Sequence, residues 1–131
     1  MTSRRFPLIP LIPVLLLAGC KGQRTPEEAY RSFAGALALR DAEKAFSMLS
    51  HPSQEAVRRL AEEASKESGG AVPPDPKRML VSGDPAAKAI KSLKVEREAG
   101  GEAVLSVDDG SGARPVKMVR ERFRWKVSLE P

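Results

Sequence analysis

The sequence predicts one α+β domain, with helices in its N-terminal half and an antiparallel sheet after them. From Thr25 to about residue 70, apolar residues recur every three or four positions, which is the period of an amphipathic helix; from about residue 92 they alternate, which is the period of a strand. Helices followed by strands are typical of α+β folds. The length of 131 residues suits one domain and not two.

Three helices are predicted before residue 70. Thr25 is the expected N-cap of the first, with Pro26 at its first helical position. Asp41 is the expected cap of the second helix, and Ser53 that of the third, which Gly69-Gly70 ends. The apolar faces of the three helices are expected to comprise, in order, Tyr30, Phe33, Ala34 and Leu37; Ala45, Phe46 and Leu49; Val57, Leu60, Ala61 and Ala64.

A short helical turn near residues 78–81 is expected to lead to four strands. The glycine pair within residues 99–102 predicts a first hairpin, and the glycine-rich residues 108–112 predict a second turn. One face of the sheet is apolar, so we expect the helices to cover it. The residues expected on that face are Leu93, Val95, Ala103, Leu105, Val107, Val116, Met118, Phe123, Trp125, Val127 and Leu129.

Residues 1–19 have the three parts of a secretory signal peptide: Arg4 and Arg5, an apolar stretch over residues 8–17, and small residues at the end. The apolar stretch is about half of the ~20 residues that a helix needs to cross a bilayer. Pro10 and Pro13 would also break a spanning helix. We therefore expect this segment to direct export and to be removed.

The end of that segment, Leu17-Ala18-Gly19-Cys20, resembles the lipobox of bacterial lipoproteins. The resemblance implies cleavage between Gly19 and Cys20 and attachment of a diacylglyceryl group, often with a further acyl chain such as palmitate, to Cys20. Residues 20–24 would then form a lipidated tether and residues 25–131 the domain. Lys21 stands where an aspartate would imply retention in an inner membrane, so an outer membrane facing the periplasm is expected if the cell has two membranes.

The segments TPEEAYRSF (residues 25–33), RDAEKAFSMLS (40–50) and RWKV (124–127) resemble the first helix, second helix and final strand of the nuclear-transport-factor-two-like superfamily, in its small bacterial lipoprotein branch of unknown function. The resemblance implies a cone, in which a curved sheet wraps around a long helix and leaves a cavity at its open end. The chain departs from the family pattern before the last strand, where residues 121–123 lack the usual Asp-Gly pair. The superfamily hosts enzymes, ligand binders and interaction modules, so it names no activity.

The composition excludes several kinds of site. One His and one Cys cannot form a His/Cys zinc site, which needs three or four such ligands, and no glycine-rich phosphate loop occurs. We expect no metal, no cofactor and no catalytic residue. Histidine is the residue type most often used for proton transfer near neutral pH, and His51 precedes Pro52 at an expected helix end. There its expected role is capping at the surface, with catalysis as the alternative.

Two sets of side chains remain as candidates for binding. The aromatic set is expected to form the core, with the wall of a ligand cavity as the alternative: Tyr30, Phe33, Phe46 and Trp125. The basic set is expected on the strand face opposite Trp125: Arg120, Arg122, Arg124 and Lys126. That face is either the solvated side of the sheet or a patch for anionic headgroups, lipopolysaccharide or an acidic envelope protein. Export argues against a nucleic-acid partner.

Together these observations predict a lipid-anchored cell-envelope protein whose domain is a binding or interaction module and not an enzyme. Two alternatives stay open: a small-ligand or lipid binder that uses the cone cavity, and an enzyme of isomerase or dehydratase type. The sequence does not predict a ligand, a named partner or an oligomeric state.

Overall fold

A computed structural model describes residues 25–82 and 89–129, so the predicted signal peptide, Cys20 and the tether lie outside the described residues. The elements in chain order are α1 (Pro26–Ala38), α2 (Ala42–Ser47), α3 (His51–Glu67), α4 (Pro76–Val81), β1 (Ser92–Ala99), β2 (Glu102–Asp108), β3 (Ala113–Glu121) and β4 (Arg124–Ser128). The helical turn expected at residues 78–81 is the C-terminal part of α4. This order confirms the α+β class.

The four strands form one open antiparallel sheet in the order β1-β2-β3-β4. Both predicted glycine-containing turns are confirmed: Gly100 and Gly101, between β1 and β2, have φ of 60° and 78°, and residues 109–112 connect β2 to β3. The β1–β2 register shifts between Val95 and Arg97, which marks a bulge in this edge strand.

The first two helices begin where the sequence predicts. The Thr25 hydroxyl accepts the backbone N–H of Glu28 at 3.2 Å, and the Asp41 carboxylate accepts that of Lys44 at 3.2 Å. Both bonds satisfy N–H groups that have no partner within their own helix. The caps therefore fix where α1 and α2 start.

The prediction that Ser53 caps the third helix is wrong, because α3 begins at His51. Ser50 is the N-cap, and its hydroxyl accepts the backbone N–H of Ser53 at 3.4 Å. Pro52 falls in the first turn, where a missing N–H leaves no intrahelical bond unmade. His51 is therefore the first residue of a helix, and the expectation that it caps the end of the preceding helix is also wrong.

Residues 48–50 join the helical half to the sheet. The Val127 N–H donates to the Met48 carbonyl at 2.9 Å, and the Ser50 N–H donates to the Val127 carbonyl at 2.9 Å. Leu49 and Val127 thus form a parallel bridge along the outer edge of β4. This bridge brings the start of α3 beside the β3–β4 hairpin.

The core lies between one face of the sheet and the helices. The sheet contributes alternate residues, as predicted for β2 and the strands after it, and the helices contribute mainly their predicted apolar faces. The buried core residues are Ala29, Tyr30, Phe33, Ala36, Ala45, Phe46, Met48, Leu49, Val57, Ala103, Leu105, Val107, Met118, Trp125 and Val127. The prediction that Leu60 belongs to the apolar face of the third helix is wrong, since its side chain is 54% exposed. It lies about 100° around α3 from the buried Ala61 and faces away from the core.

Two residues expected in the core beside Trp125 and Val127 lie outside β4. Phe123 is in the β3–β4 turn and is 88% exposed, and Leu129 follows the strand and is 47% exposed. The reason is a two-residue turn: Glu121 pairs with Arg124, and the central residues Arg122 and Phe123 have φ of 49° and 69°. Such a turn needs positive φ at both central positions and usually contains Asn-Gly, so its sequence did not reveal it.

Replacing a fully buried side chain tests this packing. We expect Leu105→Ala and Met118→Ala each to lower the free energy of unfolding by about 2–5 kcal/mol, because both side chains are completely enclosed. Leu39→Ala is the control, since Leu39 is 83% exposed and its loss should change stability by less than about 0.5 kcal/mol. Urea titration measures all three; losses similar to that of the control would contradict the core described.

Relieving the β3–β4 turn should stabilise the domain. We expect Phe123→Gly to raise the free energy of unfolding by about 1 kcal/mol, because a bulky residue at positive φ is strained and glycine is not. Phe123→Ala is the matched control: it removes the exposed ring but keeps a Cβ at the same φ. Equal stabilities of the two variants in thermal unfolding would show that the turn is not strained.

Candidate functional site

The β3–β4 hairpin and the start of α3 enclose a surface groove of about 820 Å³, which we call the hairpin groove. The groove brings His51 together with three of the four basic candidates, although about 70 residues separate His51 from them along the chain. The lining residues are Leu49, His51, Gln54, Glu121, Arg122, Arg124 and Lys126. Basic side chains therefore dominate its charge.

Glu121 ties the hairpin to α3. The backbone N–H of His51 donates to both carboxylate oxygens of Glu121, at 3.1 and 3.2 Å. The N-terminus of a helix carries partial positive charge and N–H groups without intrahelical partners, so a carboxylate is favourable there. This end of a helix thus favours negative charge, and the hairpin supplies it through Glu121.

Lys126 lies against the groove wall. Its ammonium donates to the carbonyl of Ser47, the last residue of α2, at 2.6 Å. Burial lowers the pKa of Lys126 below the ordinary value of 10.5, the neighbouring charge of Arg124 lowers it further, and Glu121 raises it. The three side chains are thus close enough to affect one another, and burial outweighs the favourable carboxylate.

The first turn of α3, which forms the opposite wall, is held at several points. Gln54 Nε2 donates to the Phe46 carbonyl at 3.0 Å and to the Leu49 carbonyl at 3.4 Å. The Ser53 hydroxyl accepts the Leu129 N–H at 2.8 Å, which attaches the same turn to the end of β4. These bonds fix the position of α3 relative to the hairpin.

Sequence reasoning missed Glu121 and Gln54. Glu121 lies 70 residues from His51 along the chain, and no local pattern marks a carboxylate that will reach a helix start so far away. Gln54 sits within the predicted third helix and gives no local sign that its side chain bonds backwards to carbonyls. Once the groove is known, both residues belong to it.

Arg120 does not share a face with Arg124 and Lys126, so that expectation is wrong. Across the hairpin, Arg120 pairs with Trp125 and Val119 with Lys126. Directly paired residues lie on the same face of a sheet, so Arg120 is on the Trp125 side and Lys126 on the other. Even-numbered residues of β3 and odd-numbered residues of β4 share a face, because the two-residue turn shifts the alternation by one. Counting every second residue straight through the turn therefore assigns Arg120 to the wrong face. Arg122 lies in the turn itself and is exposed.

The four aromatic candidates are all buried. The Tyr30 hydroxyl accepts a hydrogen bond from Arg114 Nη2 at 3.1 Å, and its ring centroid is 6.3 Å from that of Phe33. The Arg58 guanidinium lies 5.3 Å from the Phe46 ring centroid. Trp125 packs in the core from β4. The structure thus places these rings among the packing residues, and Tyr30 and Phe33 also border a second cleft.

The second cleft, of about 640 Å³, lies where β4 ends. Pairing of β3 with β4 ends at Lys117 and Ser128, so residues 113–116 have no strand beside them on that side. Pro115 lies in this free edge and has no N–H to offer to another strand. The apolar wall of the cleft includes Tyr30, Phe33, Leu37, Leu80, Val116 and Leu129, and Arg97, Arg114 and Lys117 supply charge.

The pKa of Lys126 predicts a pH dependence of stability. The folded chain releases the Lys126 proton at lower pH than the unfolded chain does. Between these two pH values, the unfolded chain therefore binds more protons than the folded chain. The free energy of unfolding should therefore rise with pH from the lowered pKa up to about 10.5. Urea titrations of wild type and Lys126→Gln should give a stability difference that grows in favour of wild type in this window, with Lys94→Gln on β1 as the control. A difference that is flat or falls would contradict the effect of burial.

Among residues 25–82 and 89–129, no cluster of three or more His, Cys, Asp or Glu side chains is arranged to hold a metal ion. No helix within these ranges has the length and apolar character needed to cross a membrane. In comparisons with known proteins, no family model, no curated protein and no solved structure matches this chain.

Proposed function

We propose that the protein is a lipid-anchored, non-catalytic binding module of the cell envelope, and that the hairpin groove binds an anionic partner. The observation that supports the binding role is the convergence of Arg122, Arg124 and Lys126 with the start of α3 around one groove. The anchor rests on the lipobox-like motif that ends at Cys20 and on the export signal before it.

The anchor would keep the domain at the membrane surface. Each methylene of an acyl chain that enters the bilayer contributes about 0.8 kcal/mol to the free energy of membrane binding. One acyl chain gives reversible binding, whereas two give stable anchoring. Residues 20–24 could span no more than about 17 Å when fully extended. In a cell with two membranes, Lys21 favours the outer membrane and a domain that faces the periplasm.

The charges of the groove suit an anion that approaches from solvent. Arg122 and Arg124 are exposed, and guanidinium groups bind carboxylates and phosphates through two parallel hydrogen bonds. Glu121 already occupies the N–H group of His51, so an incoming anion would meet the arginines before the helix. The exposed arginines would therefore bind the partner, and Glu121 would have a structural role. This arrangement favours binding over acid–base catalysis.

The cleft beside β4 favours a second candidate function, the binding of a small ligand or lipid. We propose that the domain is of the nuclear-transport-factor-two-like type and that this cleft corresponds to the cavity of the cone. Its apolar wall would take a hydrocarbon, and the hydrogen-bonded pair of Tyr30 and Arg114 would face a polar head. The charged side chains of its lining are cationic, which suits a bound anion better than isomerase or dehydratase chemistry.

The anchor is tested by native mass spectrometry of the full-length protein purified from its own membranes in mild detergent. We expect a chain that begins at Cys20 and carries two or three acyl chains. Cys20→Ser should abolish both the acyl mass and the cleavage before residue 20. An unacylated wild-type chain would contradict the anchor. Additional mass that is lost on denaturation would show a noncovalently bound ligand or partner and give its size.

The binding role is tested on an immobilised polyanion, heparin. We expect the triple variant Arg122→Gln, Arg124→Gln, Lys126→Gln to elute at clearly lower salt than wild type, because fewer counterions are exchanged on binding. The matched control removes the same three charges elsewhere: Arg59→Gln, Lys66→Gln and Lys94→Gln. Equal elution of the two triple variants would show that net charge acts and that the hairpin groove does not.

A further inference from the structure

We propose that the tip of the β3–β4 hairpin, Arg122-Phe123, is a membrane-contact finger that places the Phe123 ring among the headgroups of an anionic bilayer. This inference rests on the proposed function, since it names the anionic partner as the bilayer surface. It also gives the domain a second membrane contact, one that the lipid on Cys20 does not provide.

The first observation is the exposure of Phe123. Its side chain is 88% exposed, whereas the other aromatic residues that the structure describes, Tyr30, Phe33, Phe46 and Trp125, are all buried. A phenyl ring this exposed contributes little to the packing of the domain. Aromatic rings at such positions bind well where an apolar layer meets a polar one, as in the interfacial region of a bilayer.

The second observation is the backbone at the tip. Arg122 and Phe123 have φ of 49° and 69°, in a turn where Asn-Gly would fit without strain. A bulky aromatic residue in this conformation is an outlier, and outliers of this kind occur at sites that bind. Phe123 thus lies at a backbone conformation that glycine would adopt at lower cost, and its ring is directed into solvent.

The third observation is the distribution of charge around the ring. Arg120 and Arg124 lie on opposite faces of the hairpin, and Arg122 is at the tip, so cations stand on both sides of Phe123. Glu121, the acidic residue of this hairpin end, is bonded to the start of α3. Cations on both faces of a finger suit a plane of anionic headgroups, because a bound small anion would contact one face only.

With a short lipidated tether, the hairpin tip would need only a low affinity for the membrane to orient the domain. With the lipid on Cys20, residues 20–24 would keep the start of α1 within about 17 Å of the membrane, and a domain of this size has a radius of gyration of about 13 Å. The tether alone leaves the orientation of the domain free. Because the lipid would already hold the domain at the surface, insertion of the tip would be intramolecular and would need little affinity of its own.

The test uses Phe123→Trp in the full acylated protein, reconstituted into vesicles that contain phosphatidylglycerol and brominated phosphatidylcholine. Wild type provides the baseline, because its single tryptophan, Trp125, is buried. We expect Phe123→Trp to shift its emission to the blue and to be quenched at least twofold more than wild type. Leu39→Trp, at a position 83% exposed beyond α1, is the matched control and should stay close to baseline.

Absence of quenching in Phe123→Trp, or equal quenching in Leu39→Trp, would overturn the proposal. Equal quenching when zwitterionic lipid replaces phosphatidylglycerol would overturn the role of the arginines. If the tip stays unquenched and Phe123→Ala instead frees a protein partner from cell membranes, the tip binds protein and the proposal is wrong.

A second measurement separates this proposal from the anchor. The chain that begins at Lys21 retains every residue of the described core and carries no lipid. We expect Phe123→Ala to lower its partition onto phosphatidylglycerol vesicles at least fivefold, with Leu39→Ala unchanged. A native protein without acyl chains would remove the anchor and leave this result standing. An acylated protein whose lipid-free chain shows no effect of Phe123→Ala would remove the finger alone.

Discussion

The helical half and the sheet of this domain depend on one short stretch of backbone pairing, in which residues 48–50 bond to both sides of Val127. Two further hydrogen bonds between the helices and the sheet region lie next to it. Lys126 reaches the carbonyl of Ser47, and the hydroxyl of Ser53 accepts the N–H of Leu129. The groove exists because this pairing sets the start of α3 against the hairpin.

The electrostatics of the groove follow from the same arrangement. A helix start favours an anion, and the hairpin supplies one from within the chain, Glu121. The Glu121 carboxylate is engaged by the positive start of α3, and Arg122 and Arg124 remain exposed on the rim of the groove. The protein can therefore keep a stable helix start and a cationic surface a few ångströms apart.

The sequence predicted those parts of the fold that are encoded within a few residues. Thr25 and Asp41 cap helices through contacts three residues away, and the glycine pair within residues 99–102 makes its own turn. The start of α3 was missed because Ser50 and Ser53 are equally good caps locally, and the choice follows from the pairing of residue 50 with Val127.

The hairpin and the groove could not be predicted for two different reasons. Arg122 and Phe123 form a turn that lacks the residues by which such turns are recognised, so Phe123 and Arg120 were assigned to the wrong environments. The bond between His51 and Glu121 spans 70 residues, and no pattern in either segment specifies the other. The sequence offered His51 and the basic side chains as candidates but neither Glu121 nor Gln54, because the assembly of the site depends on tertiary contacts.

Under the proposed lipid anchor, the free edge of β3 would acquire a particular meaning. Anchored copies would diffuse in two dimensions and meet far more often than copies in solution, so an open strand edge would favour edge-to-edge pairing of sheets. Pro115 interrupts that edge, and on the opposite side of the sheet a bulge and the charged Lys94 and Arg97 interrupt β1. Both borders of the sheet are thereby poorly suited to pairing, and crowding on a surface would leave the domains as separate units.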